Sequence, residues 1–332
     1  MVSTNAYQAA RQSAAMIGRS DRGRILVSGA DRASYLHGLL TNDISALAPG
    51  SGCYAAYLTP QGRMIADLFV YELGDAMLLS VPREQKDTVL AKLDQFVFSE
   101  DVQLVDVTDR WSAFAVVGPD AAKLVGKVTG EPVDVLHQLS EHGNRRLRFR
   151  GGSAIVARVT DTGEPGYDLH VETADGAALK QALLDAGVTE LDDATAETIR
   201  IEAGIPRFNR DMNDETIPLE AGIESRAISF SKGCYVGQEV IVRVLHRGHG
   251  RVARKLVGLV FEDGRAPSSG ATVMSGDREI GRITSSAVSP ALARPIALAY
   301  VHRDFIDEGT RVSATAMPAT VTRLPFVHRE RM

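Results

Sequence analysis

The sequence predicts an α+β protein: two ferredoxin-like βαββαβ lobes related by an internal duplication, followed by a small C-terminal β-barrel. The duplication is predicted first by two similar stretches, VSGADRASYL at 27–36 and VVGPDAAKL at 116–124. In both, an apolar run leads to a glycine and then to an aspartate where a helix begins. Gly29 and Gly118 lie 89 positions apart.

A second pair of matching segments supports the same duplication. The strand patterns MLLSV at 77–81 and YDLHV at 167–171 are 90 positions apart, and each precedes a segment with helical apolar spacing. Chance is the alternative, because glycine–aspartate helix starts are common in α/β proteins. A nearly constant offset across two elements favours duplication.

Short strand patterns without helices fill the chain from Arg254 onward. Turn residues separate them, as at 262–264 and 275–277, which is typical of a small barrel or sandwich. We therefore divide the chain into a first lobe with an N-terminal helix, a second lobe that includes the segment KGCYVGQE, and the barrel. The predicted ranges are 1–110, 111–250 and 251–332, with segments that the two lobes can exchange.

The composition is that of an ordinary globular protein, with 332 residues, 44% hydrophobic and 24% charged. The formal net charge of −5 gives no reason to expect nucleic acid as a partner. No apolar run approaches the roughly 20 residues of a membrane span, so no membrane is expected. Two cysteines, Cys53 and Cys234, do not make a secreted disulfide framework, which favours the cytoplasm.

The first 24 residues are rich in arginine, alanine and serine, which resembles a transit peptide. An amphipathic helix over 7–17 is the favoured alternative. Phosphate-loop, dinucleotide-binding and GxSxG motifs are absent from the sequence. His246 and His249 form an HxxH in a basic, glycine-containing stretch, which we interpret as a surface loop, so no metal site is predicted.

Asp67 is the first candidate site residue, a carboxylate inside the apolar strand pattern RMIADLFVYEL. It alternates either outward to solvent or inward to a cleft, and the residues alone leave both open. The matching hairpin of the other half, TGEPGYDLHV, carries Glu164, Tyr167 and Asp168. A carboxylate there can accept paired hydrogen bonds from an aminopyrimidinone edge, although a polar hairpin is an equal alternative.

Cys234 is the second candidate, in a long irregular segment that follows a predicted helix at 194–204. Lys232 lies beside it, and a cationic neighbour favours the reactive thiolate. The alternative is a small buried residue on a tight turn. The motif comprises Lys232, Gly233, Cys234, Tyr235, Gly237, Gln238 and Glu239.

These segments together resemble the glycine-cleavage T-protein (aminomethyltransferase) superfamily over nearly the whole chain. More narrowly, the chain resembles the YgfZ-type folate-binding proteins linked to iron–sulfur cluster maintenance. The resemblance is carried by LLTNDISALAPG (39–50), LTPQGRMIADLFVYEL (58–73), TGEPGYDLHV (162–171), RIEAGIPRFNRDM (200–212), IPLEAGI (217–223) and above all KGCYVGQE (232–239). The stretches at 281–290 and 296–301 resemble the T-protein's C-terminal barrel.

The resemblance implies tetrahydrofolate, or a one-carbon derivative of it, in a cleft through the middle of the molecule. It implies that Asp67 faces the reacting region of the folate and that Asp168, with Tyr167 and Glu164 in the same hairpin, holds the pterin. Arg200 is the implied contact from the helix. Ala66 stands where the T-protein has the first of two aspartates, a departure that favours the YgfZ type.

The sequence therefore predicts a tetrahydrofolate-binding accessory protein for the assembly or repair of iron–sulfur clusters, with Cys234 as its essential thiol and Asp67 as a second catalytic residue. Its expected partners are the folate and iron–sulfur client or assembly proteins. The alternative is a folate-dependent aminomethyltransferase that uses Asp67 to orient or protonate a folate nitrogen. An interaction module that keeps the fold without the ligand ranks last.

Overall fold

A computed structural model describes residues 2–246, 250–262 and 264–327. Helix α1 (Thr4–Gln12) begins at Ser3, whose hydroxyl accepts a hydrogen bond from the Ala6 amide. The helix predicted at 7–17 is therefore shorter, because Ser13 leaves the helical conformation and Ala15–Gly18 forms strand β1. His249 lies outside the described residues, so the surface loop predicted for the HxxH sequence stays a prediction.

The first lobe is a five-stranded antiparallel sheet with two helices on one face. Its strands are in the order β3-β4-β5-β2-β6. In chain order the elements are β2 (Arg22–Ser28), α2 (Arg32–Leu39), β3 (Gly52–Leu58), β4 (Met64–Glu72), β5 (Met77–Pro82), α3 (Lys86–Asp94) and β6 (Gln103–Asp106).

The second lobe repeats this plan in a six-stranded sheet of order β11-β1-β7-β10-β9-β8. Strand β1, from the start of the chain, lies between β7 and β11. The elements are β7 (Trp111–Val117), α4 (Ala121–Thr129), α5 (Val133–His137), β8 (Asn144–Phe149), β9 (Gly152–Val159), β10 (Gly166–Glu172), α6 (Gly176–Ala186) and β11 (Thr189–Glu190).

The two repeated glycines occupy equivalent turns between the first strand of a lobe and its first helix. Both have positive φ angles, 104° at Gly29 and 124° at Gly118. A Cβ at Gly29 would lie 1.9 Å from the carbonyl oxygen of Asp101, and one at Gly118 would lie 2.5 Å from that of Ser13. Only glycine fits such a turn, which explains why the duplication is visible at these positions.

The predicted α+β class and C-terminal barrel are confirmed. Each half carries three strands between its helices where the sequence pattern indicated two, because the β3–β4 and β8–β9 hairpins each precede a further strand. The N-terminal helix and β1 lie with the second sheet although they precede residue 110. The domain boundaries at 110 and 250 stay predictions.

An irregular segment joins the second lobe to the barrel and crosses both lobes. It contains α7 (Asp193–Glu202), α8 (Pro218–Ala221), α9 (Glu224–Ala227) and α10 (Gln238–His246). The barrel is closed, in the order β12-β15-β14-β13-β16-β17, and β12 pairs with β17. Its strands are β12 (Arg254–Phe261), β13 (Thr272–Ser275), β14 (Arg278–Ser289), β15 (Arg294–His302), β16 (Arg311–Ala314) and β17 (Met317–Thr322).

The inner faces of the two sheets share one hydrophobic core. Tyr54 and Phe69 of the first sheet belong to the same buried cluster as Ile155 and Ala157 of the second. The other face of the first sheet packs on its own helices through a separate cluster. Where the inner faces do not meet, a cleft remains between the lobes.

Candidate active site

The cleft between the lobes has a volume of about 940 Å³, within the size range of small-molecule sites in proteins. Strand β4 of the first lobe provides part of one wall and the loop before β8 part of the other. Helices α7 and α9 add further sides, and Ser269 reaches the cleft from the barrel. Both lobes and the barrel thus contribute to one site.

Asp67 lines the cleft and is only 7% exposed. The hydroxyl of Tyr54 donates a hydrogen bond of 2.9 Å to its Oδ2. The other oxygen, Oδ1, is buried and has no hydrogen-bond partner among the residues that the structure describes. Of the two possibilities that the sequence left open, the structure therefore shows a carboxylate at the cleft with one oxygen free to accept a hydrogen bond.

Ala66 faces the opposite side of the same strand. It is fully buried in the cluster that packs against the helices of the first lobe, because successive residues of a strand point to opposite faces. The departure from the T-protein pattern at Ala66 therefore lies outside the cleft and does not alter its polar lining.

Aromatic rings cover the floor around Asp67. The ring centroids of Tyr54 and Phe69 are 5.4 Å apart, and that of His142 is 5.1 Å from Phe69. The guanidinium of Arg22 lies 4.9 Å from the Phe69 ring and that of Arg226 lies 5.3 Å from the Tyr54 ring. These contacts fall within the range of cation–π interactions.

The arginines of the cleft differ in how fully the protein already binds them. Arg200 donates twice to Glu197 and once each to Asp211, Ser285 and the carbonyl oxygen of Ile205. These five hydrogen bonds use all five donors of a guanidinium. Arg200 lines the cleft, but all of its donors are used within the protein, so its predicted contact with the folate stays a prediction.

Arg22 and Arg226 retain free donors. Arg22 donates to the hydroxyl and the carbonyl of Ser80 and makes no ion pair with a described residue. The Arg226 side chain, which is exposed, stacks on Tyr54 without any hydrogen bond or ion pair to the described part of the chain. These two cations are therefore available to an anionic group in the cleft.

Asp168 lies one side chain away from the cleft. It is 2% exposed and accepts a hydrogen bond of 2.8 Å from Nε of Arg19, whose Nη2 donates at 2.8 Å to Asp161. Burial raises the pKa of Asp168, whereas for Asp161 the charge of Arg19 overcomes burial and lowers the pKa. Arg19 and Asp161 line the cleft, so they stand between it and Asp168.

Tyr167 and Glu164, the other predicted residues of this hairpin, are not among the residues that line the cleft. Tyr167 faces the helices of the second lobe and donates a hydrogen bond of 3.0 Å to the carbonyl of Leu136. Glu164 forms an ion pair with Arg11, which also bonds Glu202. Both residues therefore hold elements of the second lobe together.

The segment KGCYVGQE forms a loop against the first lobe and, with Gln238 and Glu239, the start of α10. The ammonium of Lys232 donates to the carbonyl oxygens of His37, Leu40 and Asn42 at the end of α2. Burial lowers its pKa to about 8. Gly237 has φ of 85°, and a Cβ there would lie 2.5 Å from the carbonyl of Thr59. The loop is thus fixed at both ends.

Cys234 is exposed between these two fixed points and is not among the residues that line the cleft. Tyr235 is buried in the core between the lobes, and Gly233 is exposed. The other thiol, Cys53, is half-buried, and burial raises its pKa to about 12. The structure therefore separates the two predicted catalytic residues, with Asp67 in the cleft and Cys234 on the outer surface.

Among the polar residues of the cleft that sequence reasoning missed are Tyr54, Arg22, Arg226, His142 and Asp161. Asp161 directly precedes the hairpin TGEPGYDLHV, so its position could have suggested it. His142 and the two arginines lie in segments without a motif, and only the packing of the lobes brings them together.

Two sequence profiles match the chain and together cover nearly all of it. The GCVT N-terminal domain matches residues 2–232, and the glycine cleavage T-protein C-terminal barrel domain matches residues 254–328. The chain belongs to the glycine cleavage T-protein family. The second match coincides with the closed barrel of the structure.

Individual proteins of the T-protein family match over similar lengths. An aminomethyltransferase of Rubrobacter xylanophilus is 32% identical over 98% of this chain and 86% of its own length. One of Cutibacterium acnes is 33% identical over 97% and 90%. The crystal structure of aminomethyltransferase T from Bartonella henselae superposes with a TM-score of 0.88 at 23% identity, over 97% of this chain and 89% of that one, which shows the shared fold.

The helices of the T-protein fold are short in this chain. In the part that the structure describes, none is both long enough and apolar enough to cross a membrane.

Proposed function

We propose that this chain binds tetrahydrofolate in the cleft between its lobes and transfers a one-carbon unit to it, as an aminomethyltransferase. The main observation behind the proposal is Asp67: its Oδ1 is buried at the cleft without a hydrogen-bond partner in the described part of the chain, while Tyr54 holds Oδ2. A free carboxylate oxygen accepts hydrogen bonds from N–H groups, which reduced folates carry on their reacting nitrogens. The names of the relatives support the reaction class.

The rest of the cleft fits a flat ring system with an anionic tail. The Phe69 and Tyr54 rings provide an aromatic surface, and Arg22 and Arg226, which form no ion pair with the residues that the structure describes, provide cations for the tail carboxylates. We assign these two arginines to the folate in place of Arg200. Arg200 instead joins α7 to strand β14 and to Asp211, which keeps that wall of the cleft in position.

Asp67 acts on the folate nitrogens in this proposal. It orients N10, or exchanges a proton with it, while the methylene bridge of the product forms. The aminomethyl group arrives on the lipoyl arm of a carrier protein, and methylene-tetrahydrofolate leaves. Tyr54 keeps the carboxylate in one orientation, so that Oδ1 points to the ligand.

An anaerobic calorimetric titration with tetrahydrofolate tests the binding step. We expect saturable micromolar binding to the unchanged protein, about −8 kcal/mol, and at least tenfold weaker binding to Asp67→Asn. Asp94→Asn, an exposed carboxylate at the end of α3, is the matched control and binds as the unchanged protein does. Absence of saturable binding to the unchanged protein would remove the proposal.

The reaction step is tested separately, by measuring methylene-tetrahydrofolate formed from aminomethyl-lipoyl carrier protein. Turnover by the unchanged protein and its loss in Asp67→Asn are the expected results. Folate binding without any turnover would exclude the aminomethyltransferase and favour the second candidate.

The second candidate is a cytoplasmic, folate-binding accessory protein for iron–sulfur client or assembly proteins, and one observation favours it. Cys234 is exposed on a loop that Lys232 and Gly237 fix at both ends, an arrangement that presents a thiol to a partner. The test is the activity of iron–sulfur enzymes in a deletion strain that expresses either Cys234→Ala or Cys53→Ala. Activity that depends on Cys234 and not on Cys53 would support this function. Full activity in both strains would exclude a role for the thiol.

A further inference from the structure

We propose that His142 is a second acid–base residue of the cleft and takes up a proton from a nitrogen of the bound folate. This inference rests on the folate-dependent transfer proposed above. His142 lines the cleft from the second lobe, opposite the strand that carries Asp67. The proposed chemistry therefore has one ionisable side chain from each half of the duplicated fold.

The imidazole of His142 shares its part of the cleft with Asp67. Its ring centroid lies 5.1 Å from that of Phe69. Phe69 and Asp67 are two residues apart on β4, so their side chains point to the same face of the sheet. A ligand that contacts the free oxygen of Asp67 therefore lies beside this ring.

The backbone of His142 is held in an uncommon conformation. Its φ angle is 61°, in the left-handed region, which a histidine adopts more readily than a β-branched residue but still rarely. Its amide donates to the carbonyl of Arg158 at 3.1 Å. A Cβ on Gly52 of the first lobe would lie 2.5 Å from the His142 carbonyl oxygen, so both lobes fix this residue. Retained strain of this kind is concentrated at functional sites.

The ring nitrogens of His142 are poorly bonded within the protein. Nδ1 is buried and has no hydrogen-bond partner in the described parts of the chain, and Nε2 lies 3.7 Å from Glu141. A buried polar atom without a hydrogen-bond partner destabilises the folded protein. A ring without polar atoms, such as that of phenylalanine, could stack on Phe69 without this destabilisation.

The surroundings keep the imidazole uncharged near neutral pH. Glu141 faces it from its own loop, Asp161 from the β9–β10 turn and Arg226 from α9. Burial is the largest influence and lowers the pKa of His142, and the charge of Arg226 acts in the same direction against the two carboxylates. A neutral imidazole has a lone pair that accepts a proton.

The protons of the transfer balance with His142 in this role. The donated carbon forms two C–N bonds to the folate, its C–S bond to the lipoyl sulfur and its C–N bond to the amino group break, and the two folate nitrogens lose one proton each. His142 accepts one of these protons and gives it to the departing thiolate, which leaves as the thiol. The other proton joins the departing amino group, which leaves as ammonia. No oxidant or reductant is needed.

Three variants test the inference in the full-length protein. His142→Asn tolerates the left-handed backbone and His142→Phe keeps the stacking on Phe69, but neither side chain titrates near neutral pH. His137→Asn, an exposed histidine on α5, is the matched control. The readouts are the tetrahydrofolate dissociation constant and the single-turnover rate of methylene-tetrahydrofolate formation between pH 5.5 and 8.5.

We expect both His142 variants to bind tetrahydrofolate within about threefold of the unchanged protein and to react about a hundredfold more slowly, the usual contribution of a general base. The acidic limb of the rate profile, present in the unchanged protein and in His137→Asn, should disappear. Unchanged rates and profiles in both His142 variants would overturn the inference alone. An unchanged protein that fails to bind folate or to form product would overturn the proposed function.

Discussion

Tyr54 and Asp67 form a cross-strand hydrogen bond between β3 and β4 that leaves one carboxylate oxygen available at the cleft. Burial, followed by the charge of Asp67, raises the pKa of Tyr54 well above its ordinary value, so the hydroxyl keeps its proton and remains a donor. The carboxylate is thereby held in one orientation before any ligand arrives. Fixed orientation of this kind reduces the entropy lost on binding.

The first prediction follows from this hydrogen bond. In Tyr54→Phe, Asp67 loses its donor and is free to rotate, so we expect tetrahydrofolate to bind about three- to tenfold more weakly, as for the loss of one hydrogen bond. The measurement is anaerobic titration calorimetry. Tyr57→Phe, on the same strand but facing the helices, is the control and should not change the affinity. Equal affinities for all three proteins would contradict the proposed orientation of Asp67.

The second prediction separates Arg200 from Arg226. Arg200→Ala leaves Asp211 buried without its ion pair, and we expect the free energy of unfolding to fall by about 3–5 kcal/mol. Arg226→Ala should change it by less than about 0.5 kcal/mol, because its side chain is exposed, while weakening tetrahydrofolate binding. Urea denaturation and calorimetry measure the two effects. If Arg200→Ala were as stable as the unchanged protein, or if Arg226→Ala bound tetrahydrofolate with full affinity, the roles given to these two arginines would be wrong.

The sequence predicted those features that local chemistry determines. Gly29 and Gly118 mark the duplication because both turns need a positive φ angle. The alternating pattern of the strand around Asp67 left two orientations open, towards a cleft or towards solvent. Only the position of the second lobe shows that the side of the sheet that carries Asp67 lines a cleft. The short strands from Arg254 onward predicted the barrel because each alternates and ends at a turn.

Other features depend on pairing that no local pattern encodes. Strand β1 lies between β7 and β11 through contacts with residues about a hundred and more positions away. Tyr167 and Asp168 are neighbours in sequence but face opposite sides of their sheet, so one hairpin could not place both side chains on the cleft side. Arg200 lies at the cleft, but its donors are used by Glu197, Ile205 and Asp211 nearby in the chain and by Ser285 of the barrel.

The third prediction concerns the two thiols. Cys234 is exposed, whereas burial raises the pKa of Cys53 to about 12. Because the thiolate is the reactive form, we expect one thiol of the native protein to react rapidly with a disulfide reagent at pH 8 and the other at least a hundredfold more slowly. Absorbance of the released chromophore measures both phases. Cys234→Ser should remove only the fast phase; retention of that phase would show that Cys53 is the accessible thiol.

The fourth prediction concerns the acid sensitivity of the lobe interface. His170 is 1% exposed, and its Nδ1 accepts a hydrogen bond of 3.3 Å from Nε of Arg24. Burial, followed by the charges of Arg24 and Arg19, lowers the pKa of His170 well below 6.5. Below about pH 6.5 the unfolded chain therefore binds a proton that the folded protein excludes, and stability is lost as the pH falls, by at most about 1.4 kcal/mol per pH unit for one group.

His170→Gln removes this titration, so the decline in unfolding free energy from pH 7 to pH 5 should be shallower in the variant by about 1 kcal/mol per pH unit. Urea denaturation at each pH provides the slopes, and the slopes decide the outcome because the substitution also changes packing at every pH. His302→Gln, a more exposed histidine of the barrel, should keep the slope of the unchanged protein. Parallel slopes in all three proteins would mean that His170 does not control the acid response.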